Sequence, residues 1–193
     1  MKMKKIALAL CSLSIAFTSC GDDDDNNAVK PDPVVPNQEE VITNINFTLT
    51  PTTGTPVVLK FEDLDGDGGN APTITGGTLK ANTTYTGVLE LLNNQNGKSE
   101  NVTEEIIEED EDHQLFYASS IKGVTIAYTD KDADNNPLGI TTTVTTGDAG
   151  MGNINLKLRH QPNKSAEGVK EGKIGNAGGV TEADVTFDIN VVE

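Results

Sequence analysis

The sequence predicts an all-β domain over residues 42–193: a single immunoglobulin-like antiparallel β-sandwich of about eight strands. Three observations predict it. Apolar and polar residues alternate over short runs, which is the period of a strand with one buried face. Gly, Pro, Asn and Asp bound these runs at intervals of 8–20 residues and supply the turns. A helical pattern is confined to one short stretch, so an all-β class follows, with a closed barrel as second choice. The Cys and Trp landmarks of antibody domains are missing, as the chain has no Trp and its two cysteines fall before residue 21.

In chain order, residues 42–50 alternate through Ile45, Phe47 and Leu49 and open the domain. Strands follow at 57–62, 85–92, 114–118, 123–129, 138–146, 153–160 and 183–192. Residues 102–112 read as one or two helical turns opened by Thr103, Glu104 and Glu105, or as an acidic edge strand.

Residues 1–41 have a different character. Lys2, Lys4 and Lys5 precede an apolar run at 6–17 that is too short to span a bilayer, and Thr18-Ser19 are small residues suited to a signal peptidase. A small-residue site ending on Cys20 resembles a bacterial lipoprotein box, with Phe17 where Leu is commonest. Cleavage there makes 1–19 a lipoprotein signal peptide and leaves Cys20 as the acylated first residue of the mature chain, diacylated and carrying a further chain such as palmitate. Each buried methylene contributes about 0.8 kcal/mol, so three acyl chains hold the protein in a leaflet. Asp22, Asp23, Asp24 and Asp25 resemble the acidic export signal of Bacteroidota surface lipoproteins, and also read as a solvated spacer. Residues 20–41, with Pro31, Pro33 and Pro36 and almost no large apolar side chain, read as a disordered acidic, Pro-rich tether.

Cleavage after Ser19 removes three lysines, leaving 30 acidic against 11 basic side chains and a net charge of −19. Such a surface repels phosphate backbones, which argues against nucleic-acid partners and for cations. With Cys11 discarded and Cys20 lipidated, no thiol remains for a disulfide or a Cys-based metal site.

Two aspartate-rich stretches follow strands. Asp63, Asp65 and Asp67, with Gly66 and Gly68, match the opening of a calcium loop, where alternate carboxylates wrap a hard cation. The twelfth position is Ile74 in place of a bidentate Glu, so a turn reading stands beside the Ca2+ reading. Asp130, Asp132 and Asp134 repeat the pattern at an offset of 67, with Asn135 and Pro137 where a calcium loop needs other residues. A hairpin loop is the preferred reading there.

The two histidines differ. His160 is in phase with Ile154, Leu156 and Leu158 and reads as a core histidine. His113 closes the acidic run 108–112, where carboxylates favour a proton or a transition metal, and also reads as part of a solvated charged face. Two histidines with carboxylates bind Zn or Fe where a fold brings them together. Arg159, the single arginine, points opposite to His160 as a carboxylate or phosphate fork, or as a cap on an acidic sheet.

There is no Gly-x-Ser-x-Gly elbow, no His-Glu-x-x-His and no phosphate loop, so the protein is expected not to be an enzyme. The absence of Trp and the few aromatics weaken glycosidase and lectin readings. The glycines at 172, 175, 178 and 179 are spaced as in a mobile loop.

The segments at 63–72, His113-Gln-Leu-Phe-Tyr117, 158–164 and 178–187 resemble a group of small Bacteroidota lipoproteins often encoded beside TonB-dependent receptors. The resemblance implies an outer-membrane, exterior-facing setting and an accessory role in nutrient or metal capture, with a TonB-dependent receptor as partner. The expected function is a lipid-anchored, non-enzymatic binding or accessory module; the alternative is a structural or adhesive calcium-binding surface module.

Overall fold

The computed structural model describes residues 39–66 and 69–193, so Cys20, the four aspartates at 22–25 and Asp67 lie outside the described residues. Among the described residues, ten strands form two sheets. The first contains β1 (Asn44–Pro51), β2 (Val57–Glu62), β3 (Thr73–Thr75), β5 (Thr84–Leu92), β7 (Thr125–Tyr128) and β8 (Thr141–Thr145), in the order β3-β2-β1-β5-β8-β7. The second contains β4 (Gly77–Lys80), β6 (His113–Ser119), β9 (Gly150–His160) and β10 (Val180–Val192), in the order β4-β10-β9-β6.

The alternation read from the sequence is the burial pattern observed. Ile45, Phe47 and Leu49 on β1 and Leu89 and Leu91 on β5 face Leu156 and Leu158 on β9 and Val185, Phe187 and Ile189 on β10, enclosing one core in a β-sandwich-like all-β fold. Rings cross between the sheets, Phe47 lying 5.5 Å from Tyr117. Phe47 and Phe187 are wholly buried, and truncating either to Ala would cost about 3–5 kcal/mol.

Two strands escaped the sequence reading, and one of them breaks the expected all-antiparallel arrangement. β3 pairs antiparallel with β2, whereas β4, a single residue later, pairs parallel with β10. The chain changes sheets at Gly76, where a Cβ would overlap the Asp188 carbonyl oxygen. A glycine permits that close backbone approach, and the short Thr- and Gly-rich run around it carries little alternation to read.

The acidic stretch forms α1 (Val102–Glu108), the helical alternative of the two expectations. Val102 and Ile106 are buried, and the Thr103 hydroxyl bonds both the Leu91 N–H (2.7 Å) and the Leu91 carbonyl (3.2 Å), docking the helix on β5. No helix among the described residues is long and apolar enough to cross a membrane. The glycine-containing loop at 161–179 packs on the outer face of the second sheet. There Val169 and Ala177 cover Phe116, and the Gln114 side chain donates to the Val169 carbonyl at 3.0 Å.

Candidate metal centre

The start of β6, the end of β9 and the start of β10 lie side by side, with His113 opposite His160 and His160 opposite Val180. His113 is in phase with the inward Leu115, so its ring points in, against the expectation of a solvated face, and it is fully buried. His160 is inward as expected and 5% exposed. Directly opposed strand residues bring side chains close, and the two imidazoles stack with centroids 5.0 Å apart and planes 13° apart.

Two carboxylates complete the group. Glu182 is the extra residue of a β-bulge: Thr181 pairs with Arg159 and Ala183 with Leu158, leaving Glu182 without an opposite. Alternation from Val185 and Phe187 would turn it outward, but a bulge re-aims its residue, and its side chain is wholly buried. Glu40 comes from the segment before β1; its side chain is 6% exposed although Glu39 and Val41 on either side are exposed.

Ligand atoms from Glu40, His113, His160 and Glu182 all lie within 4.8 Å of one another. His113 Nε2 is 3.2 Å from Glu40 Oε2 and 3.5 Å from Glu182 Oε2, while His160 Nδ1 is 3.2 Å from Glu182 Oε1. The Glu40 N–H donates to Glu182 Oε1 at 3.3 Å. His113 Nδ1 is 3.1 Å from the Glu109 carbonyl oxygen. A carbonyl only accepts, so Nδ1 carries a proton and Nε2 is the nitrogen aimed at the carboxylates. His160 Nε2 is buried without a hydrogen-bond partner among the described residues, and Glu182 Oε2 has His113 Nε2 at 3.5 Å as its neighbour. An orphan such as His160 Nε2 is costly unless something else satisfies it.

The electrostatics follow from the burial. Burial alone would lower the His113 pKa, but the Glu182 carboxylate, the Glu109 carbonyl and Glu40 outweigh it and raise it to about 9. Burial, then the neighbouring Glu182, pushes Glu40 up to about 7. Burial works to raise Glu182 as well, but His113 and Glu40 hold it below the ordinary glutamate value. Without a metal, protons therefore supply the positive charge that the carboxylates demand.

The other sequence candidates are used locally. Asp63 Oδ1 accepts from the Gly66 N–H at 2.9 Å, and Asp65 Oδ2 accepts from the backbone (2.9 Å) and side-chain (2.7 Å) nitrogens of Asn70. Those Asn70 bonds hold the Asp65 carboxyl below its ordinary value. Neither aspartate joins the histidine group. Asp130 accepts from the N–H groups of Gly139 (2.8 Å) and Thr141 (2.7 Å), as a hairpin-closing residue does. Arg159 points away from His160 and donates to the Gly179 carbonyl at 3.2 Å.

Sequence reasoning missed Glu40 and Glu182. Glu40 stood in the stretch expected to be tether. Glu182 stood one residue before the expected strand, on what alternation makes the solvent face. Gly178-Gly179 ahead of it was the available signal: Gly179 has φ +71°, and a Cβ there would collide with the His160 carbonyl. That glycine pair lets β10 start against the end of β9.

Comparison of the chain with protein-family models, curated proteins and solved structures finds no match.

Proposed function

We propose that this chain is a lipid-anchored cell-envelope protein, held at the outer membrane through Cys20 and facing the exterior. In this reading its β domain is a non-enzymatic module that binds a metal cation, as an accessory to TonB-dependent uptake. The observation that carries the binding function is the buried group Glu40, His113, His160 and Glu182, whose ligand atoms all lie within 4.8 Å of one another. Four protein donors around one point leave no open position for substrate or water, which favours holding an ion over catalysis. The strongly acidic surface favours cations as ligands. The localisation rests on the leader, on Cys20 and on the aspartates that follow it.

The fold is read as immunoglobulin-like in its general plan, two sheets over one core. Its six and four strands depart from the four and three of a constant-type domain.

The test is metal analysis of the full chain after incubation with a mixture of Ca2+, Mn2+, Fe2+ and Zn2+ followed by gel filtration. Stoichiometric metal in the wild type, lost in His113→Ala and His160→Ala, is the expected result; a metal-free wild type contradicts the binding function. For the anchor, mass spectrometry of the natural protein should find Cys20 acylated and residues 1–19 removed, and a free Cys20 thiol would refute it.

A further inference from the structure

Resting on the metal-binding reading above, we infer that the site takes a divalent transition ion of the Zn2+ class in preference to Ca2+, in a closed shell in which Glu40 fastens the segment before β1 to the domain.

The donor set argues for the ion. Calcium takes six to eight oxygen ligands, whereas this site offers two imidazoles and two carboxylates, a mixture suited to Zn2+, Fe2+ or Mn2+. A tetrahedral ion with bonds of about 2.0–2.1 Å needs its donors about 3.3 Å apart. Ligand atoms of the four residues all lie within 4.8 Å of one another, and His113 Nε2 and Glu40 Oε2, 3.2 Å apart, already match that edge, so small side-chain adjustments close the shell. Two carboxylates and a divalent ion are electroneutral together, which a buried site requires. The Glu109 carbonyl already orients His113 through Nδ1, as a backbone carbonyl commonly does for a metal-ligating histidine.

The placement argues for the fastening. Three ligands belong to paired strands of the second sheet, and the fourth does not. Among residues 39–41 Glu40 alone has a buried side chain, and its ties to the domain are the Glu182 and His113 contacts. An ion shared by Glu40 and the three strand ligands joins the segment to β6, β9 and β10. Without the ion, Glu40 is held only through its contacts with His113 and Glu182.

The experiment uses the full chain and two readouts. Calorimetric titration with Zn2+ and with Ca2+ reads the ion class, supported by the visible absorption of the Co2+ form, which is intense for a tetrahedral site. Hydrogen exchange over residues 39–43, with and without Zn2+, reads the fastening. Expected are Zn2+ binding that millimolar Ca2+ does not compete away, tetrahedral Co2+ bands, and slower exchange over 39–43 when Zn2+ is bound. Glu40→Gln, which leaves the strands untouched, should weaken Zn2+ binding at least about tenfold and abolish that slowing. Binding of Ca2+ alone overturns the ion class while the metal-binding function stands. Zn2+ binding with unchanged exchange over 39–43, or undiminished in Glu40→Gln, overturns the fastening alone. Binding of no ion removes both this inference and the function it rests on. Should Glu40→Gln not fold, wild-type exchange with and without Zn2+ decides.

Discussion

The Asp132–Lys164 pair and the Glu40/His113/His160/Glu182 group both bury charge, yet the chain's own groups close only the first. Lys164 Nζ lies 2.8 Å from Asp132 Oδ2 and also donates to the Asp110 carbonyl at 2.5 Å. Asp132 Oδ1 accepts from the N–H groups of Asp134 (3.0 Å) and Asn136 (2.7 Å), and Oδ2 accepts from the Asn136 side chain at 3.2 Å. This pair braces two loops, and both carboxylate oxygens are satisfied. In the second group His160 Nε2 lacks a hydrogen-bond partner among the described residues, and two carboxylates share one neighbourhood with histidines between them. A saturated cluster is a structural brace. The second group depends instead on bound protons to offset its two carboxylates.

The largest expected effect comes from breaking the saturated pair. Lys164→Met strands the Asp132 carboxylate in the interior and should cost about 3–5 kcal/mol in urea unfolding. The loss should be the same with and without Zn2+. A Zn2+-dependent loss would mean that the two clusters are not independent.

The next effect is opposite pH dependence. Asp132 is pushed up by burial, but Lys164 and Asn136 outweigh this and hold it below the ordinary 3.8. Its contribution to stability is therefore present above that value and lost as pH falls through the folded value. His113, raised to about 9 from 6.5, contributes fully below 6.5 and loses its contribution as pH rises to 9. Glu40, raised to about 7 from 4.5, binds more protons folded than unfolded between those values, so it too costs stability as pH rises. Metal-free protein should thus weaken between pH 4.5 and 9 through His113 and Glu40, and in acid through the closed pair and Glu182. His113→Gln should flatten the decline between pH 6.5 and 9 in denaturant melts. An unchanged decline would contradict this electrostatic account.

The smallest effect sharpens the comparison from the exposed side. Lys157 Nζ is 2.6 Å from Asp184 Oδ2, but the two side chains are 34% and 46% exposed. Lys157→Ala should cost less than about 1 kcal/mol, since water and salt screen such pairs. A loss comparable with that of Lys164→Met would show that burial is not what separates them.

The long strands were legible because a half-buried strand writes its alternation into the sequence, as Ile45-Phe47-Leu49 and Val185-Phe187-Ile189 do. β3 and β4 were illegible because three or four Thr- and Gly-rich residues carry no such pattern, and a parallel partner cannot be read from local order. His160 was placed on the correct face by phase with Leu158. The acidic run before His113 hid its phase with Leu115. Glu182 could not be found by alternation, because a bulge suspends the alternation at that residue. Glu40 could not be found by composition, because one buried carboxylate among exposed residues leaves the stretch looking like a linker.

A zinc-edge anomalous difference map from crystals of the full chain grown with Zn2+ addresses the central claim most directly. The account predicts a peak at about 2.0–2.2 Å from ligand atoms of Glu40, His113, His160 and Glu182. Well-ordered density for these four side chains with no peak among them, or a peak held instead by Asp63 and Asp65, would contradict it.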